Sequence, residues 1–389
     1  MSSVDCVIRD SGIQPRAYQQ RIASKAVAMI RGEFVHEHTK ELESAASSVM
    51  IESPTGSGKT IMALTVAKAL QYDQPDLVIG WVAMRRNLLG QAARENRDKG
   101  INVKNIHFIS MFDKNPEELM AAKRSGKPVC MVIDEAQHDA ASSMSHLHNI
   151  VEPDSILGMT ATPFRTDKMK LCFQKVIKDC GIHQLIQDGF LSPYDHYTIP
   201  EWSPHEIADH FCADPGRWGK SIFYFVSLEE CYELGRLFTE RGVSHAVVKG
   251  GQQKITDDML DRFESGEIQC LINCMVLTEG FDCPSLKTAW VRDSSRGPTM
   301  QMGGRTFRLF GDLPVKQIVQ SKQSKWPFVR TAMPHQQFVW VHDDWRSIKV
   351  NPHLERINVN SRLAIAQTEV DLPKYLLDRK GKKKKVNRF

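Results

Sequence analysis

Residues 53–60 read Ser-Pro-Thr-Gly-Ser-Gly-Lys-Thr. A short apolar run, Ser48–Glu52, precedes them, and a stretch with helical periodicity, Lys59–Gln71, follows. Glycines at 56 and 58 let the backbone close around an anion. Ser57 lies between them, and Lys59 with the Thr60 hydroxyl completes a cradle for a polyphosphate. A strand that ends in such a loop and restarts as a helix aims the helix amides and the positive end of its dipole at the bound anion. The local order must then be strand, loop, helix, the building unit of a parallel α/β sheet. Ser53 occupies the first loop position, and its small side chain leaves room for the turn.

The same rhythm runs through both halves of the chain. In the first, strands are predicted at Ser48–Glu52, Leu77–Ala83, Ile106–Ser110, Val129–Asp134 and Ile156–Thr160, with helices between them, including Asn87–Lys99. The fourth strand ends in Asp134-Glu135-Ala136-Gln137-His138. There one carboxylate can serve magnesium and the next can serve a water molecule. Gly189-Phe190-Leu191-Ser192-Pro193 reads as a hinge, followed by an irregular polar stretch to Gly219. Strands resume at Ser221–Val226, Ala246–Lys249, Cys270–Asn273, Thr288–Asp293 and Phe338–His342, and helices at Leu228–Arg241 and Asp257–Ser265. Residues 311–335, rich in Lys, Gln and Pro, read as an elaborated connection. The division expected is 1–192, a linker 193–219, a second domain 220–350 and an extension 351–389.

The net charge of +5 is concentrated at one end. Residues 379–389 hold seven Lys or Arg and no acid, and the remainder carries 44 basic against 46 acidic residues. The tail can grip phosphates without reading sequence, serve as a nuclear-import signal, or be a solvated terminus. No apolar run approaches the roughly 18–20 residues that span a bilayer, so no membrane partner is expected. The N-terminus has no basic region leading into an apolar core, so no secretory signal is expected. Nine cysteines without a Cys-x-x-Cys pair give no zinc-site spacing and point to a reducing compartment, read as the cytoplasm.

Further landmarks follow in fixed order. Arg16-Ala17-Tyr18-Gln19 precedes the phosphate loop, and Thr160-Ala161-Thr162-Pro163-Phe164-Arg165 follows the acidic pair. Thr278-Glu279-Gly280-Phe281-Asp282 and Gln301-Met302-Gly303-Gly304-Arg305-Thr306-Phe307-Arg308 complete the set. Together with the phosphate loop and the Asp-Glu-Ala-Gln box, these motifs resemble superfamily 2 helicases and translocases over about residues 14–310. The Thr-Ala-Thr-Pro-Phe-Arg and Thr-Glu-Gly-Phe-Asp forms are most similar to the UvsW, RadD and XPB-like group.

The resemblance implies two tandem RecA-like domains with ATP in the cleft between them and magnesium beside it. Ser53, Thr55, Gly56, Ser57, Gly58, Lys59 and Thr60 would hold the phosphates, and Thr60 and Asp134 the metal. Glu135 would orient or deprotonate water. Arg305 and Arg308, spaced one helical turn apart, would reach the γ-phosphate from the second domain, joined by Gln301. Arg16 and Gln19 would recognise adenine, or serve only as a helix start. Gly280 and Asp282 would link the second domain to nucleotide. Thr160, Thr162, Gln137 and His138 would couple hydrolysis to movement. Arg85, Arg86, Asn87, Ser110, Ser227 and Thr278, at strand ends, would hold a nucleic-acid backbone. Trp202, Trp218, Trp326 and Trp345 are candidates for base stacking or, more commonly, for packing. The expected partner is single-stranded or branched DNA. RNA, a separate nuclease subunit or another protein are the alternatives, and a monomer is expected.

Overall fold

The computed structural model describes residues 1–36, 39–84, 86–138, 142–161, 173–250, 253–277 and 283–348. The expected extension 351–389, with its basic tail, lies outside the described residues. One compact unit spans Met1–His335.

The chain opens with two helices, α1 (Ser3–Ser11) and α2 (Ala17–Arg31). A capping box starts α1: the Ser2 hydroxyl accepts from the Asp5 N–H, and the Asp5 carboxylate accepts from the Ser2 N–H. This satisfies two of the otherwise unpaired amides of a first turn. There follow β1 (Ser48–Glu52), α3 (Lys59–Asp73), β2 (Val78–Ala83), α4 (Arg86–Asp98), β3 (Ile106–Ser110), α5 (Glu117–Arg124), β4 (Val129–Asp134), α6 (Ser142–Val151), β5 (Ser155–Thr160), β6 (Lys175–Lys178) and α7 (Ile182–Gln187). The six strands pair in parallel in the order β3-β2-β4-β5-β1-β6. Every β2 residue is buried, as is each β4 residue before Asp134, as a parallel sheet covered on both faces requires. The order of pairing brings β1, β5 and β4 side by side, so the phosphate loop, Thr160 and Asp134 emerge at one edge.

Residues 193–219 are not the irregular linker expected. They form β7 (Tyr194–Ile199), α8 (Pro204–Ala213) and α9 (Pro215–Trp218). Next come β8 (Ser221–Phe225), α10 (Leu228–Glu240), β9 (His245–Val248), α11 (Gln253–Ser265), β10 (Cys270–Cys274), β11 (Thr288–Trp290), α12 (Arg296–Gly304) and β12 (Lys316–Ser321). These strands pair in parallel in the order β7-β12-β11-β8-β10-β9. The polar side chains that disguised β7 and β12 are buried in pairs. His196 on β7 shares a 3.1 Å hydrogen bond with Gln320 on β12, and the Thr288 hydroxyl donates to Gln317. Lys316, with no exposed surface, donates to the carbonyls of Pro284 and Leu286. Burial pushes this ammonium down to about 8.

An aromatic cluster fills the space between this sheet and α8–α10. Trp290 stacks on Phe223 at 5.3 Å and meets the edge of Trp218 at 4.9 Å. Trp218 is therefore core rather than a base-stacking surface, and its indole N–H donates to the His210 carbonyl. Trp202 packs on Phe225, and the Arg296 and Arg330 guanidinium groups lie 5.7 and 5.5 Å from the Trp326 ring centre. Trp290→Ala should cost about 3–5 kcal/mol of stability, because the cavity cannot collapse around so many fixed rings. Urea unfolding of the variant measures this, and a loss below about 1 kcal/mol would contradict the packing described.

A second unit begins at Gln336. Its described part is a hairpin of β13 (Gln336–Val341) and β14 (Asp344–Ser347), paired antiparallel, with Trp340 against Trp345 at 5.1 Å. The strand expected at Phe338–His342 thus belongs to a hairpin. His342 and Asp343 turn it with φ of 51° and 56°, the backbone of a two-residue turn with both central residues left-handed.

Candidate active site

The phosphate loop joins β1 to α3 and is braced from three sides. The Ser53 N–H donates to the Thr160 carbonyl at the end of β5. The buried Ser53 and Ser57 hydroxyls lie 2.7 Å apart. From α2, the Tyr18 hydroxyl and the Gln19 amide both donate to the Ser57 carbonyl, at 2.7 and 2.8 Å. Gly56 and Gly58 have φ of 81° and 80°, a region that β-carbons disfavour. A Cβ on Gly58 would also stand 2.4 Å from the Gln19 amide nitrogen. Lys59 and Thr60 open α3, and the Lys59 ammonium donates to the Ser53 and Pro54 carbonyls at 3.3 Å.

Asp134 closes β4, next to β5. Burial first, and the Glu135 carboxylate second, push Asp134 up to about 7, against the pull of Lys59 and Arg305. Burial pushes Lys59 down, while Glu135 and Asp134 favour its charge and Arg305 and Arg308 oppose it. Glu135 has φ of 54°, uncommon for a non-glycine residue. Its carboxylate accepts from the Gln137 amide at 3.1 Å, and the Gln137 carbonyl oxygen accepts from the Thr160 hydroxyl at 2.6 Å. A chain of two hydrogen bonds therefore runs from Thr160 through Gln137 to Glu135. Gln137 fills the place beside Glu135; the His138 side chain and Thr162 lie outside the described residues.

Arg305 and Arg308 do not share a helical turn as expected. The helix α12, which carries the half-buried Gln301, ends at Gly304. Arg305–Phe307 form a 3₁₀ turn, and Arg308 follows with ψ of 134°. The segment abuts the phosphate loop, since a Cβ on Gly304 would lie 3.7 Å from the Thr55 side chain. Ser192, not anticipated from sequence, fixes its far end. The Ser192 N–H donates to the Phe307 carbonyl at 2.8 Å, and the hydroxyl to the Arg308 carbonyl at 3.2 Å. Phe307 is locked by the rings of Tyr194 and Phe328 at 5.2 and 5.3 Å. Ahead of Ser192, a Cβ on Gly56 would lie 3.1 Å from the Leu191 side chain, and Phe190 packs on Tyr18 and under the Arg16 guanidinium.

The residues expected at adenine brace the entry to the phosphate loop. Gln19 accepts from the Arg16 N–H at 2.8 Å while donating to Ser57, so both ends of its amide serve its own chain. Arg16 lies over Phe190, 4.5 Å from the ring centre, and donates to the Tyr18 hydroxyl. Beside Gln19 and the first turn of α3 opens a cavity of about 540 Å³, walled by Gly12, Ile13, Pro15, Ile61 and Lys99 among others. These walls come from the α1–α2 connection, α3 and the end of α4, and converge only through packing, so no local motif announced them.

The expected nucleic-acid contacts are mixed. Ser110 accepts from the Phe112 N–H, and Ser227 caps α10 by accepting from the Glu229 N–H, so both hydroxyls already stabilise turns. Arg86 is exposed at the start of α4. Arg85, the Asn87 side chain, Thr278, Gly280 and Asp282 lie outside the described residues. No described helix is long and apolar enough to cross a membrane.

Residues 12–165 match the family described as Type III restriction enzyme, res subunit, and residues 206–310 match the Helicase conserved C-terminal domain. The chain is 26% identical over 262 residues to a 51.5 kDa protein of Lactococcus phage (isolate 7-9), covering 60% of this chain and 56% of that one. It is 24% identical over 218 residues to the putative ATP-dependent helicase IRC3 of Saccharomyces cerevisiae, covering 46% and 32%. The chain thus spans about half, or less, of these relatives' length. Among solved structures, S. cerevisiae Dbp5 bound to RNA and ADP BeF3 superposes with a TM-score of 0.56 at 14% identity, over 87% of this chain and 93% of that one. The type ISP restriction-modification enzyme LlaBIII bound to DNA gives 0.55 at 16%, over 82% and 28%. The two parallel sheets, matched in order by these two family models, give the chain the tandem RecA-like architecture of the superfamily 2 helicases.

Proposed function

We propose that the chain is a DNA-dependent ATPase that translocates on, unwinds or remodels branched DNA, in the manner of the UvsW, RadD and XPB-like group. The observation that supports this reading is that the turn from Gly304 to Arg305, on the second sheet's side, abuts Thr55 of the phosphate loop, at the sheet edge where β4 ends in Asp134. A triphosphate fits the cations Lys59, Arg305 and Arg308. Magnesium prefers hard oxygen ligands and keeps part of its water. The Asp134 carboxylate, whose charge burial disfavours, and the Thr60 hydroxyl suit such an ion. Magnesium, when bound, neutralises phosphate charge.

The chain's own residues supply the rest. Lys59 and the loop amides hold the β- and γ-phosphates, and Glu135 orients the attacking water. The two arginines stabilise charge on the transferred phosphoryl group. Gln137 and Thr160 fix the Glu135 carboxylate, so water is positioned only when the β4 and β5 ends are in register. Loss of the γ-phosphate removes what draws the arginines toward the loop, and the two sheets can then separate about residues 190–192, a hinge motion.

The restriction-subunit match supports DNA, while the fold is common to LlaBIII, which holds DNA, and to Dbp5, which holds RNA. The test is steady-state ATPase activity at one salt concentration with no polymer, single-stranded DNA, branched duplex or RNA. Greatest stimulation by branched DNA is expected. Stimulation by RNA alone would make the chain an RNA helicase. No stimulation by any polymer would favour an ATP-gated clamp or a motor subunit that needs a protein partner.

A further inference from the structure

Two thiols meet under the start of α10. Cys231 sits on that helix with no exposed surface, and its N–H donates to the Ser227 carbonyl at 3.3 Å. Cys274 ends β10 and is half-buried. It is the register partner of Phe225, so its side chain shares a sheet face with Phe225 and Phe223, the face on which Phe238 of α10 packs. The Cys274 thiol donates to the Val226 carbonyl at 3.4 Å. The two cysteines are thus anchored to consecutive residues, 226 and 227, and their thiols share a hydrogen bond. Both are free.

Their surroundings differ in the way that an oxidisable pair requires. Cys274 reaches solvent between the exposed Val226 and Met275, and its thiol acts on the Arg292 guanidinium, which follows β11. The amino end of α10, capped by Ser227, lies beside it. Reactive cysteines sit in partly exposed places near cations and helix amino ends, whereas buried thiols are inert until a partner reaches them. Cys231 is the buried member. Burial first, and then Cys274, push its thiol up to about 12, and Glu230 in the same turn acts in the same direction. Cys180 and Cys283 face hydroxyls instead, those of Ser53 and Ser285 at 3.6 and 3.3 Å. The backbone beyond Cys274 is clamped: the Asn273 side-chain oxygen accepts from the N–H groups of Val276 and Leu277 at 2.9 and 3.0 Å, and Met275 between them has φ of 54°.

We infer that Cys231 and Cys274 are a peroxide-sensitive dithiol that closes to a disulfide and slows ATP turnover. The Cys274 thiolate attacks one oxygen of a hydroperoxide. An S–O bond forms, the O–O bond breaks, and the departing oxygen takes up a proton. The Cys231 sulfur then attacks the Cys274 sulfur. An S–S bond forms, the S–O bond breaks, and hydroxide leaves as water with the Cys231 proton. The two sulfurs lose two electrons between them and the peroxide gains them. Once Cys274 is a sulfenic acid, its charge no longer opposes ionisation of Cys231, which eases the second step. The disulfide takes away the thiol proton that held the Val226 carbonyl and ties α10 to the end of β10. The chain beyond Cys274 runs through the Asn273 clamp toward Gly280 and Asp282, which the motifs link to nucleotide, so the tether restrains the start of that segment. Control of turnover rests on the motor reading above; the disulfide itself does not. In a reducing compartment such a bond is transient and serves sensing rather than stability.

Treatment of the full chain with hydrogen peroxide, then thiol blocking, digestion and mass spectrometry, tests the proposal. The wild type should yield a peptide pair joining Cys231 to Cys274, lighter than its parts by about two hydrogens and split by dithiothreitol. Polymer-stimulated ATP turnover should fall about fivefold and recover on reduction. Cys274→Ser should abolish both the link and the loss of turnover. Cys231→Ala should leave Cys274 open to trapping by dimedone as a sulfenic acid. Thermal melting confirms that each variant is folded. Absence of the linked peptide in the folded wild type, or a loss of turnover that persists in Cys274→Ser, would overturn the proposal. A link that forms with turnover unchanged would overturn its control of the motor. A reduced chain without turnover under any polymer would overturn the motor reading and that control with it, while the mass of the peptide pair would still report the disulfide.

Discussion

Arg305→Ala lowers ATP turnover by about 10³–10⁵-fold, the range for arginines that stabilise transition-state charge on a phosphoryl group. Arg305 should matter more than Arg308. It is only 8% exposed and acts on both Lys59 and Asp134, whereas Arg308 acts on Lys59. It also lies near the buried Tyr224 hydroxyl on β8, whose ionisation it favours against burial. A charge in such surroundings is worth more than one in water, since little solvent screens it. Arg305→Lys should recover little, because an ammonium cannot offer the planar fork of donors that a phosphoryl group accepts. Steady-state hydrolysis at saturating ATP measures the loss, and binding of a fluorescent ATP analogue separates it from loss of affinity. A decrease below about tenfold in a folded variant would remove Arg305 from the chemistry. Melting is needed alongside, because Arg305 is buried and its truncation also disturbs packing.

What could be read in the sequence depended on whether the signal was local. The phosphate loop, the acidic pair and β1 to β5 were legible because strand and helix periodicities there are unbroken by polar residues. Strands β7 and β12 were not. Asp195, His196 and Thr198 in one, and Lys316, Gln317 and Gln320 in the other, look like surface residues. The polar groups become compatible with burial only through partners from remote segments, as in His196 with Gln320 and Lys316 with the Pro284 and Leu286 carbonyls. The same limit applied at the site. Glu135 and Arg305 were marked by motifs, whereas Ser192, Leu191 and the cavity walls at Gly12, Ile13 and Lys99 gain meaning only after folding. Gln19 was located by its motif, but its bond to the Ser57 carbonyl joins segments that only folding brings together.

Glu135→Gln is expected to slow hydrolysis by about 10²–10⁴-fold, the range for losing a general base, while ATP binding changes only severalfold. The substitution preserves shape. The side-chain oxygen of a glutamine can still accept from the Gln137 amide, so the chain from Thr160 should persist and the strained backbone at residue 135 should hold. What disappears is the negative charge that draws a proton from water. A second consequence follows from Lys59, whose charged form Glu135 supports against burial. Removing that support weakens the lysine's hold on phosphate, and this is why a modest loss of affinity is expected rather than none. Rapid-mix single-turnover kinetics with radiolabelled ATP separates the two steps. Binding near the wild-type level followed by a stalled cleavage step agrees with a water-orienting role. Normal cleavage would show that Glu135 does not act on water. Thr160→Val provides the complementary measurement, because it cuts the relay one bond further out without touching the carboxylate. If Gln137 and Thr160 aim Glu135, the valine variant should fall between wild type and Glu135→Gln in the rate of cleavage. Equal cleavage by Thr160→Val and wild type would mean that Glu135 is positioned by its own backbone alone.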